Sequence, residues 1–407
     1  MRVLKFGWEY PPSKNGGLGV ACYGLTRELL NNGVEVIFVL PRQQEVVGGG
    51  KFLFAGQDSL LKVVHTDIEL KPYQQANSTV EIIVGYDKDG NPITKLRTII
   101  EEAHRFAHKA SIIAKQEEFD VIHAHDWTSY LAGVAAKLAS GKKLILHVHA
   151  TSFDQAAGEN VDPEILRIEK ECFALADKVV TVSGYTKNII VRKHEVPAGK
   201  VEVVHNGCDT SDPQSHTPVL QELKRQGKMI VLYHGRISIQ KGVDYFVKAA
   251  KRVVDVDPDV VFVISGWGDM RTQVIELVGQ LGLSKNVLFA GALWEEERDR
   301  MYQSADLVVM PSVSEPFGLV PLEALQNGTP SIITKQSGVS EVLTHVLKVD
   351  FWDTEEMANQ ILSTLRYPVI RKQMVDEGKK QIKLISWRQA AQKVHDVYKS
   401  LIQYVTT

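Results

Sequence analysis

Short runs of apolar, often β-branched residues alternate with helical patterns along almost the whole chain. Several of these runs are continuous rather than polar at every second residue, which is typical of parallel strands with both faces buried. Strands that alternate with helices predict an α/β fold built on a doubly wound parallel sheet. In the first half of the chain we predict strands at Val3–Phe6, Glu35–Leu40, Val121–Ala124, Leu144–Val148, Lys178–Val182 and Val201–Val204.

A second series of the same kind begins after a polar, proline-containing segment, so the pattern predicts two doubly wound domains. Its strands are predicted at Met229–His234, Val260–Ser265, Val287–Ala290, Leu307–Met310 and Ser331–Thr334, and the clearest helices of the chain at Gly19–Asn31, Leu96–Glu117 and Pro163–Leu175. We expect an N-terminal domain at residues 1–208, a linker at 209–218 and a C-terminal domain at 219–385. The last helix (residues 386–407) could pack on either domain and is assigned to the N-terminal one, and residues 48–92 are expected to be an insertion containing a hairpin.

Charge and composition exclude several classes of partner. The 407 residues carry a formal net charge of −2, which gives no electrostatic footprint for nucleic acid or for an anionic membrane. No apolar run approaches the roughly 20 residues of a membrane span, and the N-terminus shows no secretory leader. Three cysteines are too few for a disulfide framework. We therefore expect a cytoplasmic protein whose partner is a small molecule or a neutral polymer.

A glycine pair follows the first predicted strand, in the segment PPSKNGGLGV. Gly16 and Gly17 allow the backbone to approach a ligand closely, and the start of the next helix offers unpaired N–H groups to an anion. Lys14 could add a positive charge. A glycine pair is also common in an ordinary turn, so the segment by itself leaves both interpretations open.

Two cations lie in the segment YHGRISIQKG, which begins at the end of a predicted strand. Arg236 and Lys241 have no acidic residue between them, and a helix is predicted to begin near Val243. Two cations beside a helix N-terminus can hold a diphosphate. The alternative is a pair of solvated surface charges.

The most specific segment is EPFGLVPLE. Glu315 lies in a loop, Pro321 suits the first turn of a helix, and Glu323 follows about one turn into it. Gly318 permits close backbone approach of a ligand. Two carboxylates placed in this way can bind two parts of one hydroxyl-rich ligand, whereas a helix dipole that favours acidic residues explains only one of them.

Four histidines form two pairs, in IHAHDW and in LHVHAT. The members of each pair, His123 with His125 and His147 with His149, are two residues apart and so face the same side of a strand. Four histidines allow a metal hypothesis, but no acidic or cysteine ligand accompanies them in a recognisable metal motif. We expect no metal here, and interpret most of these side chains as packed, hydrogen-bonded histidines.

Together these segments resemble the retaining GT-B glycosyltransferases of family four, with features of the related glycogen and starch synthases. KNGGLGV is similar to the synthases' Lys-X-Gly-Gly-Leu-Gly motif, GRISIQKG resembles the donor-domain signature, and EPFGLVPLE resembles the Glu-X7-Glu motif. HAHDW, VSGYTK and HNGCD also match, so the resemblance covers nearly the whole chain. It implies a GT-B fold, in which two Rossmann-like doubly wound domains face each other across a cleft.

The resemblance also implies a role for each matching residue. Lys14, Gly16 and Gly17 would approach the donor phosphates and the reacting sugar, and His149 would lie beside the transferred sugar. Arg236 and Lys241 would neutralise the diphosphate leaving group in place of a divalent metal. Glu315 would hydrogen-bond the sugar hydroxyls, and Glu323 would bind the ribose. The backbone of Phe317, Gly318 and Leu319 would lie beside Glu315 and contact the donor.

The expected reaction moves a hexose, glucose by preference, from a nucleoside-diphosphate sugar to an acceptor hydroxyl with retention of anomeric configuration. The nucleotide sugar is a co-substrate, and no cofactor or metal is expected. HVHATSFDQ resembles a microbial subgroup related to α-glucan metabolism and favours an α-glucan acceptor. Val20 after Gly-Leu-Gly, and Ser337 in place of a glycine in SGVSEV, depart from glycogen synthase itself. The alternatives are transfer to a lipid-linked or cell-surface glycan, a nucleotide-sugar epimerase, and a non-catalytic regulator with the same fold.

Overall fold

The chain divides into two compact units, which are described separately. The computed structural model describes residues 1–12, 16–42, 44–55, 79–86, 92–158, 160–209, 216–293 and 295–403. One unit consists of Met1–Gly207 together with Trp387–Thr407, and the other of Cys208–Ser386. Lys14 and most of the expected linker lie outside the described residues.

The first unit is built on a parallel sheet. Its strands are β1 (Arg2–Phe6), β2 (Glu35–Leu40), β3 (Lys51–Phe54), β4 (Thr79–Tyr86), β5 (Pro92–Thr98), β6 (Val121–His125), β7 (Lys143–Val148), β8 (Lys178–Thr181) and β9 (Val201–Val203). Seven strands form the sheet in the order β3-β2-β1-β6-β7-β8-β9, while β4 and β5 pair with each other in antiparallel fashion. Strands β1, β6 and β7 are buried along nearly their whole length, as their continuous apolar runs predict.

The helices of the first unit show clear start and stop signals in the sequence. They are α1 (Gly17–Asn31), α2 (Ile99–Gln116), α3 (Trp127–Ser140), α4 (Ser152–Gln155), α5 (Pro163–Leu175) and α6 (Gly184–Lys193). A capping box between Thr98 and Glu101 begins α2, and the Asp162 carboxylate caps α5 ahead of Pro163. The predicted start of α2 at Leu96 was three residues early, because Leu96–Thr98 form the end of β5.

The second unit repeats the architecture. Its strands are β10 (Met229–His234), β11 (Val260–Ser265), β12 (Val287–Gly291), β13 (Leu307–Met310), β14 (Ser331–Thr334) and β15 (Leu347–Val349), all parallel in the order β12-β11-β10-β13-β14-β15. Its helices are α7 (Pro218–Arg225), α8 (Val243–Val256), α9 (Arg271–Gln280), α10 (Glu295–Ser304), α11 (Val320–Gln326), α12 (Thr354–Arg366) and α13 (Pro368–Ile382). Val231 and Tyr233 of β10 join one apolar core, and Ile230 and Leu232 join another. Alternate residues of a strand face opposite sides, so both faces of this sheet are buried.

The last helix, α14 (Trp387–Gln403), belongs to the first unit. The Trp387 ring lies against Gly24 of α1, so closely that a Cβ at Gly24 would stand 2.5 Å from it. Farther along, Tyr398 is fully buried and its hydroxyl lies 2.6 Å from Nδ1 of His123. Among the described helices, none combines the length and the apolar character that a membrane crossing requires.

In both sheets the strand order reverses beside the first strand of the unit. β1 lies between β2 and β6, and β10 lies between β11 and β13. Ligands of open α/β sheets bind outside the carboxyl ends of the strands at such a reversal. The topology therefore singles out the loops that follow β1 and β6, and those that follow β10 and β13.

Candidate active site

The loop after β10 carries the two predicted cations. The Tyr233 hydroxyl donates to the backbone oxygen of Arg236 at 2.5 Å, and a 3-10 turn, Ile239–Lys241, leads into α8. Gly242 separates this turn from the helix in a left-handed conformation, with φ of 63°. A Cβ at Gly242 would stand 2.2 Å from the Pro311 oxygen, so only glycine fits where the two loops meet.

Glu315, in the loop after β13, is brought into direct contact with Lys241. The Lys241 ammonium lies 2.6 Å from Oε2 of Glu315, and the Ser312 hydroxyl donates to the same oxygen at 3.0 Å. The Glu315 side chain is only 10% exposed and that of Lys241 is 26% exposed. The two residues to which the sequence assigned different parts of the donor therefore form one partly buried ion pair.

Backbone hydrogen bonds connect this loop to the one that follows β14. Glu315 donates its N–H to the Gln336 oxygen at 3.0 Å and accepts one from Gly338 at 2.9 Å. The Phe317 oxygen accepts from Val339 at 2.7 Å. Ser337, which replaces a glycine of the family pattern, is buried between these contacts and donates its hydroxyl to the Thr334 oxygen at 2.6 Å.

The run from Phe317 to Glu323 forms the turn into α11. Phe317 is buried, and Gly318 has φ of 102°, which favours glycine. Leu319 precedes the helix and Pro321 lies in its first turn, as the sequence predicted. Glu323 is therefore held on a helix, whereas Glu315 is held by a loop.

Glu323 is bound by two residues of α10 that the sequence analysis missed. Arg298 Nη1 lies 3.0 Å from its Oε1, and the Tyr302 hydroxyl donates to its Oε2 at 2.9 Å. Burial and the Glu323 charge raise the pKa of the Tyr302 hydroxyl well above its usual value, so this donor keeps its proton. Arg298 and Tyr302 are one helical turn apart and share a face, which is the only signal in the sequence that could have linked them.

In the first unit, the glycine pair begins α1. Gly16 stands at the N-cap position and Gly17 is the first helical residue, and no side chain caps this helix start among the described residues. No described side chain competes for the first N–H groups of α1, and their use by an anionic ligand stays a prediction. β1 ends at Phe6, at the point where the strand order reverses.

His149 follows β7 and is fixed by both its backbone and its ring. Its N–H donates to Oδ1 of Asp126 at 2.6 Å, and its Nε2 lies 2.9 Å from Nδ1 of His125. Asp126 has a positive φ of 58° at the N-cap position of α3 and makes no side-chain hydrogen bond to the start of that helix among the described residues. Burial, with a smaller effect of Lys5, lowers the pKa of His149 to about 3, so its imidazole is neutral near neutral pH.

Each unit thus carries polar groups that suit an anionic, hydroxyl-rich ligand. The second unit offers Lys241, the carboxylates of Glu315 and Glu323 and a helix start. Arg236, in the same loop as Lys241, is partly buried. The first unit offers the start of α1, which no described side chain caps, and a neutral histidine. Carboxylates that accept hydroxyl donors, next to cations that bind phosphate, are the groups that a nucleotide sugar requires.

Comparisons with known proteins agree with this chemistry. The family described as Glycosyltransferase Family 4 matches residues 15–212, and the family described as Glycosyl transferases group 1 matches residues 220–381. The two matches cover most of the chain in the order of its two units. The chain belongs to the family-four glycosyltransferases.

Among similar proteins, an uncharacterized glycosyltransferase of Methanocaldococcus jannaschii is 27% identical over 98% of both chains. A glycogen synthase of Mycobacterium tuberculosis is 25% identical over 84% of this chain and 80% of its own. The solved structure of sucrose-phosphate synthase from Thermosynechococcus elongatus superposes with a TM-score of 0.77 at 19% identity, covering 99% of each chain. This family-four glycosyltransferase therefore has the GT-B fold that its sequence predicted.

Proposed function

We propose that this glycosyltransferase transfers glucose from a nucleoside-diphosphate glucose to a hydroxyl of an α-glucan, with retention of configuration and without a divalent metal. The observation that carries the proposal is the contact between Lys241 and Glu315 at the point where the second sheet reverses its strand order. A lysine can bind phosphate and a carboxylate can accept hydrogen bonds from sugar hydroxyls, and one donor molecule carries its diphosphate directly beside its sugar.

Arg236 and Lys241 supply the positive charge for the leaving diphosphate. Negative charge grows on that group as the bond to the sugar breaks, and fixed cations near it stabilise the transition state more than the ground state. Lys241 is already held by the Glu315 carboxylate in a site of low exposure, so little reorganisation is needed when the donor binds.

The two carboxylates have separate roles in this proposal. Glu315 accepts hydrogen bonds from the sugar hydroxyls, and its charge favours the positive character that develops on the sugar. Glu323 accepts hydrogen bonds from the ribose, while Arg298 and Tyr302 hold its carboxylate from the other side. The leaving phosphate takes the acceptor's proton on the face that the phosphate leaves, which retains the configuration.

Glucose and an α-glucan are proposed from similarity to the glycogen synthase and from the segment HVHATSFDQ. The main alternative acceptor is a lipid-linked or cell-surface glycan. An epimerase would yield a rearranged sugar nucleotide without consuming an acceptor, and a non-catalytic regulator would yield no product.

A donor and acceptor screen tests the proposal. Full-length protein is incubated with UDP-, ADP- and GDP-glucose, and with the corresponding galactose and mannose donors, with and without glycogen or a lipid-linked oligosaccharide. We expect release of a nucleoside diphosphate from a glucose donor to rise when glycogen is added, with α-linked glucose on the polymer. A β-linked product would contradict retention, and a rearranged sugar nucleotide would show an epimerase.

A further inference from the structure

Four histidines of the first unit converge on one buried place, which we call the histidine cluster: His123, His125, His147 and His149. β6 and β7 are adjacent and parallel, and their register pairs His125 with His147. The rings of His123 and His147 are stacked with centroids 5.3 Å apart, and those of His125 and His147 are 5.1 Å apart. Period-two spacing on two neighbouring strands therefore gives four imidazoles on one face of the sheet.

The ring nitrogens of the histidine cluster are only partly satisfied by protein groups. Nδ1 of His123 lies 2.6 Å from the Tyr398 hydroxyl, and Nδ1 of His125 lies 2.9 Å from Nε2 of His149. Within the described part of the chain, Nε2 of His123, Nε2 of His125 and both ring nitrogens of His147 are buried without a hydrogen-bond partner. Buried polar atoms without a protein partner point to a water molecule or an ion.

We propose that His123, His125 and His147 bind a divalent metal ion of the zinc class through their ring nitrogens. One ring nitrogen from each of these side chains lies within 4.8 Å of those from the other two. Bonds of about 2.0–2.1 Å to a tetrahedral metal would place the nitrogens about 3.4 Å apart, so the stacked rings must rotate for all three nitrogens to face one ion. Three histidines leave one coordination position for a water molecule.

Two of the three histidines have a ring contact that could fix their orientation. A metal-bound histidine commonly uses its second ring nitrogen in a hydrogen bond that fixes the tautomer and the ring orientation. His123 has such a contact with Tyr398 of α14, and His125 has one with His149. In both rings the nitrogen without a partner is Nε2, so both would present the same atom to the metal.

A second set of ligand atoms, from Cys22, His125 and His149, also lies within 4.8 Å. It is less suitable because the rings of His125 and His149 already bind each other. Cys22 of α1 therefore lies next to the proposed site without being one of its ligands. Two neighbouring strands bring together three imidazoles that each have an unpaired ring nitrogen among the described residues, whereas the sequence pattern, which predicted no metal, does not show which strands are neighbours.

Lys5 supplies the main force against a cation at this site. It lies on β1 in register with His123, is fully buried, and its ammonium donates to the Thr26 hydroxyl at 2.8 Å. Its positive charge helps to lower the pKa of all four histidines. Glu9 and Asp126 are also buried and act on the Cys22 thiol beside the site, but burial raises the pKa of Asp126 to about 8, so this carboxyl is mostly uncharged near neutral pH. Lys5 is therefore expected to weaken metal binding, so its substitution gives a second, independent test of the site.

Metal binding by the full chain tests the proposal. Protein is stripped with EDTA, dialysed and titrated with Co²⁺, whose visible absorption reports tetrahedral nitrogen ligands, and bound Zn²⁺ is counted by elemental analysis. We expect one metal per chain in the wild type and none in His147→Leu. Among the described residues the His147 ring has no hydrogen-bond partner, so leucine should remove a ligand and leave the metal-free fold intact. Lys5→Met should bind Co²⁺ tighter by about tenfold or more, because a like charge is removed.

The matched control addresses a second histidine pair. His104 and His108 are exposed and one turn apart on α2, an arrangement that can bind a metal at a protein surface. The double variant His104→Gln/His108→Gln should still bind one Co²⁺. The proposal is overturned if the folded wild type binds no Co²⁺, or if binding is lost in the double variant and kept in His147→Leu. If His147→Leu does not fold, the Lys5→Met affinity decides: tighter binding supports the buried site, and unchanged binding overturns it.

Discussion

At the scale of single residues, the contact between Lys241 and Glu315 changes what each side chain is expected to do. The sequence assigned Lys241 to the diphosphate and Glu315 to the sugar, as if the two acted independently. In the structure their charges are 2.6 Å apart and shielded from most of the solvent. A donor bound as proposed would share Lys241 with Glu315, so we expect removal of one charge to change the effect of the other.

Glu315→Gln should separate turnover from nucleotide binding. The amide keeps the size of the side chain but removes the charge beside the reacting sugar, and charge-assisted hydrogen bonds contribute about 1.5–3 kcal/mol. We expect kcat to fall about tenfold to a hundredfold. Binding of the free nucleoside diphosphate should stay equal or become tighter, because Lys241 no longer has a competing partner. Calorimetry and initial rates measure both, with Glu276→Gln on the exposed side of α9 as the control. Much weaker nucleotide binding would show that Glu315 contacts the nucleotide itself.

Tyr302→Phe should weaken nucleotide binding and leave turnover nearly unchanged, the reverse of what is expected for Glu315→Gln. The substitution removes the hydroxyl that donates to Glu323 Oε2 at 2.9 Å, while Arg298 still holds Oε1. A carboxylate with one donor fewer is positioned less firmly, so we expect nucleotide affinity to weaken up to about tenfold and kcat at saturating donor to change little. A fall in kcat with unchanged affinity would place Glu323 at the sugar instead of the ribose.

At the scale of helices and strands, the loops gain their rigidity from glycines that the fold requires. Gly242→Ala would place a Cβ 2.2 Å from the Pro311 oxygen in a backbone with φ of 63°. We expect a loss of about 2 kcal/mol or more and a thermal midpoint several degrees lower, together with reduced activity because Lys241 precedes this residue. Gly279→Ala, on α9 with open space around it, should instead stabilise the chain by about 0.5–1 kcal/mol. Equal effects of both substitutions on the thermal midpoint would show that the loop accommodates a Cβ at Gly242 without loss of stability.

One source of the pH dependence of stability is His234, at the end of β10. Burial at the end of β10, and then the Arg298 charge, lower the pKa of His234 from 6.5 to about 4. Between these values the unfolded chain binds a proton that the folded chain does not. The contribution of neutral His234 to the free energy of unfolding is therefore complete above pH 6.5. It is lost as the pH falls, by at most about 1.4 kcal/mol per pH unit. His234→Asn should flatten the thermal midpoint against pH between pH 4 and 6.5, whereas the exposed His345→Asn should not. Identical slopes for both variants would exclude His234 as a source.

The sequence predicted the elements well and the contacts between them poorly. Continuous apolar runs located β2, β10, β11, β13 and β14 to the residue, because a strand buried on both faces leaves a direct trace in composition. The contacts of Glu323 with Arg298 and Tyr302 were missed, because α10 is highly charged and its signal lies only in a spacing of four residues. The meeting of three imidazoles with unpaired ring nitrogens among the described residues was missed for a different reason, because it depends on which strands are neighbours.

At the scale of the whole molecule, the sites proposed in the two units differ in electrostatic character. The second unit presents cations where the donor diphosphate is proposed to bind, so no added metal is expected there. The first unit buries imidazole nitrogens that have no partner among the described residues, and it is where a metal is proposed to bind. Treatment with a chelator therefore tests both proposals at once. The variant His147→Leu separates loss of a metal from the histidine cluster from loss of a metal at the diphosphate.

Turnover is expected to survive chelation. Arg236 and Lys241 give the leaving diphosphate the charge that a divalent ion would otherwise supply, so the glucosyl transfer rate in EDTA should stay within about twofold of the untreated rate. The metal-free His147→Leu variant should show the same rate with and without EDTA. If wild-type activity falls in EDTA while that of His147→Leu does not, the ion of the histidine cluster supports the first unit and the diphosphate site remains metal-free. If both lose activity and Mg²⁺ or Mn²⁺ restores it, a metal acts at the diphosphate and the roles given to Arg236 and Lys241 are wrong.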